Sequence, residues 1–451
     1  MRHLGLCATA ALCTLAFSGL QAQVLKNNSR PEVIFINRGG IEIDSMVTSE
    51  VIETYYSTIE RGFRQTGLPR FIIAGKNQKM IFGIGGNADM RLSYDFDGIA
   101  DNLDFVTADI PVPNSPKQRQ QIQLDPTAST LYFKAIADAG RIGPVVGYIQ
   151  ADFRGTGNAF ALQMAYVEVA GFSIGRRFTT FCDLGASPST VDFEGPNGYP
   201  AVYNAMIRYT RAFNEHWSMA AALEMPDVSA TYIPGTSAVS QRMPDIPLYV
   251  QYAWNGGRSH LRASGLLRDM FFYDNLRDKT TSLLGWGVQL SGAIQAGKRL
   301  TTYMQFLYGK GIAEYIQDID GTGLDMVANP EKPHSMQALP VMSWIAGLQY
   351  AFGPKWLATA AYSGVKVFGE HDYRVPDTYK IAHYLSVNLF YNLTPSCQLG
   401  AAYLYGTREN MDMQQGHANR VQAIVQYNFY PVCGPQVPLP SKFRQEKELS
   451  R

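Results

Sequence analysis

A period of two runs through most of this chain. In "MIFGIGGNADMRLSYD", which begins at Met80, one face carries Met80, Phe82, Ile84, Ala88, Met90, Leu92 and Tyr94, and the other carries Asn87, Asp89, Arg91, Ser93 and Asp95. Successive side chains of a β-strand point to opposite faces, so the stretch reads as a strand that is apolar on one side and charged on the other. The pattern returns in "RVQAIVQYNF", with Val421, Ala423, Val425, Tyr427 and Phe429 on one face and Arg420, Gln422, Gln426 and Asn428 on the other. Alternation does not say which face is inside, because a soluble sandwich would bury the apolar one. Length and aromatics decide. Sixteen such segments fall near 80–98, 129–138, 145–155, 160–171, 173–181, 201–213, 216–226, 246–254, 258–268, 281–294, 298–310, 341–352, 355–366, 379–392, 396–408 and 418–430. Most reach ten residues or more, which is long for a sandwich and suits a tilted strand crossing a bilayer.

The connections alternate as well. Tight ones such as "DAGRIGP", "FNEHW", "NGGR", "QAGKR", "GPKW" and "NLTPS" take turns with long ones at 99–128, 227–245, 311–340 and 367–378. Short turns on one rim and long loops on the other are the outer-membrane pattern, with the short turns and both chain ends on the periplasmic side. Charged residues make up only 17% of the chain, against about 25% in ordinary soluble proteins, while Tyr (26) and Phe (23) are plentiful. Aromatics recur at strand ends, at Trp217, Trp254, Trp344, Tyr350, Phe352, Trp356, Tyr391, Tyr427 and Phe429, as an interfacial girdle requires. Past the first residues no window of about 18 uncharged apolar residues occurs, which leaves a closed β-barrel as the way to satisfy the backbone in lipid. The expected fold is a 16-stranded antiparallel transmembrane β-barrel.

The start, "MRHLGLCATAALCTLAFSGLQAQ", has a basic residue, an apolar run and a small residue at Ala22, the form of a secretory signal over 1–22. Residues 23–76 read as an N-terminal periplasmic segment with one short helix, on which Ile52, Tyr55, Tyr56, Ile59 and Phe63 recur at helical spacing after a possible N-cap at Thr48. The barrel is expected over 77–430, and the Pro-rich, then charged, residues 431–451 form a periplasmic tail. A net charge of +1 offers no basic field for nucleic acid. No GxSxG, HExxH or CxxC motif occurs, so no catalytic residue, metal or cofactor is expected. Two other readings compete with an open channel: a plugged barrel serving as adhesin or scaffold through its long loops, and a barrel enzyme.

Between the fifth and sixth segments the alternation breaks over "TTFCDLGASPSTVDFEGPNGYP". This is the third connection on the long-loop side, and in sixteen-stranded porins that loop folds into the lumen and narrows it. Residues 182–200 are thus expected to form an inward-folded constriction loop. "VAGFSIGRRFTTFCDLGASPSTVDFEGPNG", with "IRYTRAF" after it and "DFVTADIPVPN" before it, resembles the DcaP-like porin family over roughly residues 65–430. Where such porins tend to read "GQTWSTFMD", this chain has "GRRFTTFCD", with Arg176, Arg177 and Phe178 in place of amide, hydroxyl and indole groups. The resemblance implies a homotrimeric porin in the outer membrane of a Gram-negative bacterium, in contact with outer-membrane lipids, passing small anionic solutes such as dicarboxylates.

On the face shared with Asn87 and Asp89, the alternation places Arg91, Lys134, Arg154, Arg177, Arg208, Arg262, Arg268, Lys380, Arg408 and Arg420. The acids there are Asp89, Asp95, Asp138, Asp152 and Glu224. Bases outnumber acids about two to one, and rings of Arg and Lys favour anions in a pore. The loop itself carries Asp183, Asp192 and Glu194, which either pair with Arg177 and Arg208 to hold it against the wall or face the aperture. Cys397 opens the fifteenth strand and Cys433 follows the sixteenth, close enough in an antiparallel pair to form a disulfide in an oxidising compartment.

Overall fold

The computed structural model describes residues 80–99, 103–332, 334–394 and 396–429, except the side chain of Asp138, and the backbone of Glu32–Asn37, Gly40–Ile41 and Phe71–Gly75. Sixteen long strands make the wall: β1 (Met80–Asp97), β2 (Thr130–Asp138), β3 (Pro144–Gly155), β4 (Ala159–Val169), β5 (Phe172–Phe178), β6 (Tyr203–Ala212), β7 (Trp217–Glu224) and β8 (Ile246–Trp254). They continue as β9 (Ser259–Asp274), β10 (Lys279–Ala296), β11 (Leu300–Lys310), β12 (Pro340–Ala351), β13 (Trp356–Val367), β14 (Tyr379–Thr394), β15 (Cys397–Asn410) and β16 (Gln415–Asn428). Each pairs antiparallel with the next, and β16 closes on β1 with Gln426 opposite Asp89 and Ile424 opposite Arg91. Closure leaves no strand edge between first and last, which is what a sheet in lipid must achieve.

The barrel is inside-out. On β1, Asp89 and Arg91 are 3% and 8% exposed while Met90 and Leu92 are 42% and 44% exposed, so the polar face is the lumen and the apolar face the outer surface. At the short-turn rim that outer surface carries aromatic pairs, Trp356 with Tyr391 at 4.6 Å and Tyr350 with Phe352 at 4.9 Å between ring centroids, as an interfacial girdle requires. The turn between β4 and β5 is two residues, Ala170 and Gly171, with φ of 50° and 85°. Positive φ at both central positions lets a two-residue hairpin follow the twist of its strands.

The loops on the other rim are L1 (98–129), L2 (156–158), L3 (179–202), L4 (225–245), L5 (275–278), L6 (311–339), L7 (368–378) and L8 (411–414). L1 contributes a short strand, Gln121–Asp125, that pairs with the upper half of β1, and L6 contains a hairpin of Met326–Ala328 with Met336–Ala338. Ile312, Ala313, Tyr315, Ile316 and Ile319 of L6 are fully buried inside the barrel with Phe181, Leu307, Val341, Val365 and Ala382. Burying each such isoleucine contributes about 1.5–3 kcal/mol. The lumen beside β9–β14 therefore holds an apolar core.

That core explains where the strands depart from the alternation. The segment expected to end at 268 runs to Asp274, because its inward residues Met270 and Phe272 are apolar and pack on Met326 and Met336 of the L6 hairpin. The segment expected to reach 181 stops at Phe178, where Thr179 Oγ1 donates to Glu224 at 2.7 Å and the Thr180 N–H donates to the same carboxylate at 2.7 Å, drawing the chain into the lumen. Lys380 was expected inside. A bulge between Tyr379 and Ile381 instead gives the inward place to Tyr379, which donates to Asp318 at 2.7 Å, and Lys380 pairs with Glu409. The short strand Phe71–Gly75 extends the wall, pairing with β1 through Phe71 and Ile84. The signal sequence, the helix around Thr48–Phe63 and the tail lie outside the described residues.

Candidate functional site: the pore interior

L3 crosses the barrel and is stitched to the wall residue by residue. Asp183 at its root accepts from Ser291 Oγ at 2.6 Å, bonds His260 Nε2 at 2.9 Å and lies 3.8 Å from Arg262. Farther along, Gln305 donates to the Ala186 carbonyl, Thr359 to Ser189, Ser343 to Gly198, and Ser363 to the Asn197 side chain, at 2.6–3.0 Å. The Val191 N–H donates to Asn388 at 2.9 Å. Two wall glycines make room: a Cβ at Gly347 would sit 2.7 Å from Pro188, and one at Gly400 2.9 Å from Val191. The loop's backbone polar groups are thus satisfied on β9–β14, as burial demands.

The acids of L3 are braced by partners other than those expected. Asp183 goes to His260, Ser291 and Arg262 rather than to Arg177 or Arg208. Asp192 accepts from the Phe105 N–H of L1 at 3.2 Å and from the Tyr384 hydroxyl at 3.1 Å. Arg177 bonds Glu168 and Ser173, both at 2.5 Å, and Arg208 donates to Thr180 Oγ1 at 2.8 Å and to the Phe178 carbonyl. Glu194 has its carbonyl held by Gln317 at 3.1 Å, while its carboxylate has no hydrogen-bond or ion-pair partner among the described residues.

The remaining predicted cations divide into two sets. Arg91 is clamped by Asp89 at 3.0 and 3.1 Å, Arg420 by Asp95 at 2.7 and 3.0 Å, and Arg154 by Asp104 of L1, so these charges are largely offset. The Phe193 ring at the L3 tip lies 4.9 Å from Arg91 and 4.4 Å from Arg154. Arg268 holds Asp245 and Asp325 and ties L4 and L6 to the wall, and Arg408 donates to Asn410 and the Ala108 carbonyl. The second set borders a cavity, with Arg177 itself ion-paired to Glu168. Arg177, Arg208 and Arg262 line a cavity of about 560 Å³ between the root of L3 and β3–β9, where Glu168 is the acid in the lining. Arg262 donates to Gln251 and to the Cys182 carbonyl, packing 4.0 Å over the Tyr249 ring. Lys134 feels Glu168 electrostatically from its place on β2.

Charge states along L3 diverge. Burial opposes ionisation of Asp183, but Arg262 and then His260 and Ser291 outweigh it and hold the carboxyl well below the usual carboxylate range. Burial and then the neighbouring Asp104 push Asp192 up, and burial with Asp104, Asp192, Asp318 and Asp320 pushes Glu194 well above its ordinary value. Burial raises the Cys182 thiol to about 12. Cys182 and Cys397 are free cysteines, and Cys433, the expected partner of Cys397, lies outside the described residues.

Sequence reasoning missed His260, although it shares the parity of Arg262 and Arg268 on β9. It also missed that the inward positions of β10–β14 hold Ser291, Gln305, Ser343, Thr359, Ser363 and Asn388, short polar groups rather than charges. That uncharged run was the signal for where L3 lies. The roles of L1 and L6 inside the barrel had no comparable signal.

The model of the DcaP outer membrane protein family matches residues 66–321. No curated protein sequence matches the chain. Among solved structures, the outer membrane channel DcaP of Acinetobacter baumannii aligns with a TM-score of 0.69 at 18% identity, over 79% of this chain and 99% of that one. The outer membrane protein OmpT of Vibrio cholerae, as a loop L8 deletion mutant, aligns at 0.51 and 12% identity over 78% of this chain and 99% of that one. The trimer form of in-vitro folded OmpT gives 0.50 and 12% over 77% and 99%. At these identities the likeness concerns the fold alone, a closed antiparallel barrel. With the family model covering more than half of the sequence, the chain belongs to the DcaP outer membrane protein family.

Proposed function

We propose that this protein is an outer-membrane porin for passive diffusion of small hydrophilic solutes, with a preference for anions such as dicarboxylates. The cavity lined by Arg177, Arg208 and Arg262 carries the reading. Its volume, about 560 Å³, lies in the range of small-molecule sites. The like charges of Arg177 and Arg208, and of Arg208 and Arg262, are near enough to act on one another, which concentrates positive potential where a solute must pass. A homotrimer with both chain ends in the periplasm accords with the even strand number and with the trimer form of the similar OmpT. The residue ranges 1–22, 23–76, 77–430 and 431–451 remain our assignment of signal, periplasmic segment, barrel and tail. A Cys397–Cys433 disulfide would fail if both thiols were modified without reductant.

The apolar core beside β9–β14 favours a second reading, a barrel closed by L1, L3 and L6 that serves as adhesin or scaffold. Recording the purified protein in a planar bilayer under a KCl gradient separates the two. Stepwise openings with a reversal potential of the chloride-selective sign support the anion pore, and a cation-selective sign overturns the preference. Silence from folded protein supports the closed barrel.

A further inference from the structure

Charge in the pore is segregated along its axis. On the turn side of L3 lies the cavity of Arg177, Arg208 and Arg262. On the long-loop side, carboxylates converge from four loops. Glu194 of the L3 tip feels Asp104 of L1, Asp192 beside it and Asp318 and Asp320 of L6. Asp320 in turn feels Asp109 of L1 and Asp227 of L4, and Glu314 of L6 feels Asp325, Asp227 and Asp320.

The cations facing this group from the wall are Arg154 of β3, Arg91 of β1 and Arg420 of β16, and each has its own acid, Asp104, Asp89 and Asp95. Asp152 of β3 and Glu194 also act on Arg154, so Glu194 feels this one cation at a distance without pairing with it. Asp318 is spent on Thr107, the Ala108 N–H and Tyr379, and Asp192 on Phe105 and Tyr384. Glu194 differs. Its backbone is pinned by Gln317 through the carbonyls of Glu194 and Pro196, so the loop holds the carboxylate in place without bonding it. Asp320 lies nearby, open to solvent on one side and enclosed by protein on the other.

We propose that Glu194 is a specificity-determining residue of the pore: with Asp320 it forms a negative threshold above the arginine-lined cavity, one that admits anions more freely once it is protonated. The inference rests on the anion-pore reading of that cavity. A solute anion entering from the long-loop side meets the carboxylates before the arginines, and a repulsive charge at a constriction raises its barrier even where the next stretch attracts it. Protonation removes the repulsion and leaves the arginines charged, since a guanidinium does not titrate in this range. Burial and neighbouring acids push Glu194 well above its ordinary value, and they push Asp320 to about 6 and Glu314 to about 7. The threshold accordingly switches in mild acid.

The test uses the full-length protein in planar bilayers, with the chloride-to-potassium permeability ratio read from the reversal potential in a KCl gradient at about pH 8 and about pH 5. The wild type is expected to gain about threefold in that ratio on acidification. E194Q should lose most of the response, E194D should keep it, and E194Q/D320N should abolish what remains. Retention by E194D separates a charge effect from a change in loop packing, and a heat-modifiable gel shift shows that each variant has folded. A wild-type ratio that does not move with pH overturns the proposal, as does an E194Q response equal to that of the wild type. R262Q distinguishes the underlying reading, because if it leaves the ratio unchanged the arginine cavity does not set selectivity, whatever Glu194 does.

Discussion

At the root of L3, Asp183 takes hydrogen bonds from Ser291 and His260 with Arg262 at 3.8 Å, and stays ionised well below the usual carboxylate range. At the tip of the same loop Glu194 faces other carboxylates and titrates well above it. Both side chains lie in a folded loop inside a barrel, so burial alone does not separate them. The difference is the wall each one meets, β9 and β10 with a cation and two donors at the root, L1 and L6 with acids at the tip. One acidic loop is therefore braced by the wall at its root and set among other carboxylates at its tip.

The largest expected effect breaks the root. Asp183→Asn removes the charge that Arg262 and His260 face inside the wall, and breaking one side of a buried pair costs about 3–5 kcal/mol. The loop should detach from β9 and β10. Expected outcomes are larger and noisier single-channel currents and a lower thermal midpoint, and unaltered currents would show that the other wall bonds of L3 suffice. The pH dependence has a definite sign. A carboxyl with a depressed folded pKa stabilises above its unfolded value and loses that contribution as pH falls through the folded one. The root should thus survive at about pH 5, where the tip has begun to protonate. Thermal midpoints measured between about pH 8 and about pH 5 should show little loss attributable to Asp183.

The second prediction weakens the cavity and leaves the loop in place. Arg208→Gln removes one of the three guanidinium groups lining it without touching the Arg262–Asp183 contact, and glutamine keeps a donor for the Thr180 oxygen. The reversal potential should shift towards potassium by about threefold in permeability ratio. A shift of that size with an unchanged thermal midpoint would assign selectivity to the cavity rather than to the clamped Arg91, Arg154 and Arg420.

The barrel was legible from Met80 onward because lipid and water impose opposite demands on the two faces of every strand, and a period of two records both. On β1 the alternation of Asp89 and Arg91 with Met90 and Leu92 carries straight through to exposure. It failed where the lumen is not aqueous: Met270 and Phe272 read as the end of a strand because they face the L6 core instead of water. The candidate site was legible as a set of inward charges and illegible as pairs. Pairing depends on which loop folds onto which strand, and no local pattern in L1 or L6 announces that Asp104 will reach Arg154 or that Tyr315 will donate to Asp245.

A third, smaller effect sharpens the root by chemistry rather than by mutation. Cys182 is buried beside Asp183, with its thiol raised to about 12, and Cys397 is partly exposed at the rim. A thiol reacts as the thiolate. After treatment with reductant, a small maleimide at neutral pH should therefore label Cys397 and spare Cys182 in the wild type, and label both in the Asp183→Asn variant. Labelling of Cys182 in the unaltered protein would mean that the root opens on the time scale of the reaction.

The smallest expected effect lies at the tip. Phe193 sits between Arg91 and Arg154, 4.9 and 4.4 Å from its ring, and a cation–π contact contributes about 0.5–1 kcal/mol at an exposed site and about 2 kcal/mol when desolvated, as at the buried Arg91. Leucine fills much the same volume without the ring's negative face, so Phe193→Leu costs at most the sum of those two contacts. Arg91 keeps Asp89 and Arg154 keeps Asp104, which limits the loss further. The thermal midpoint should move little. The side chain after Phe193 is Glu194, and loosening the ring loosens the carboxylate that follows it. The pH response of the permeability ratio should broaden while its acid limit stays where it is, since the arginines below are untouched. If the acid limit moves as well, the tip and the cavity are not separate regions, and the contrast between the two ends of L3 dissolves into a single coupled constriction.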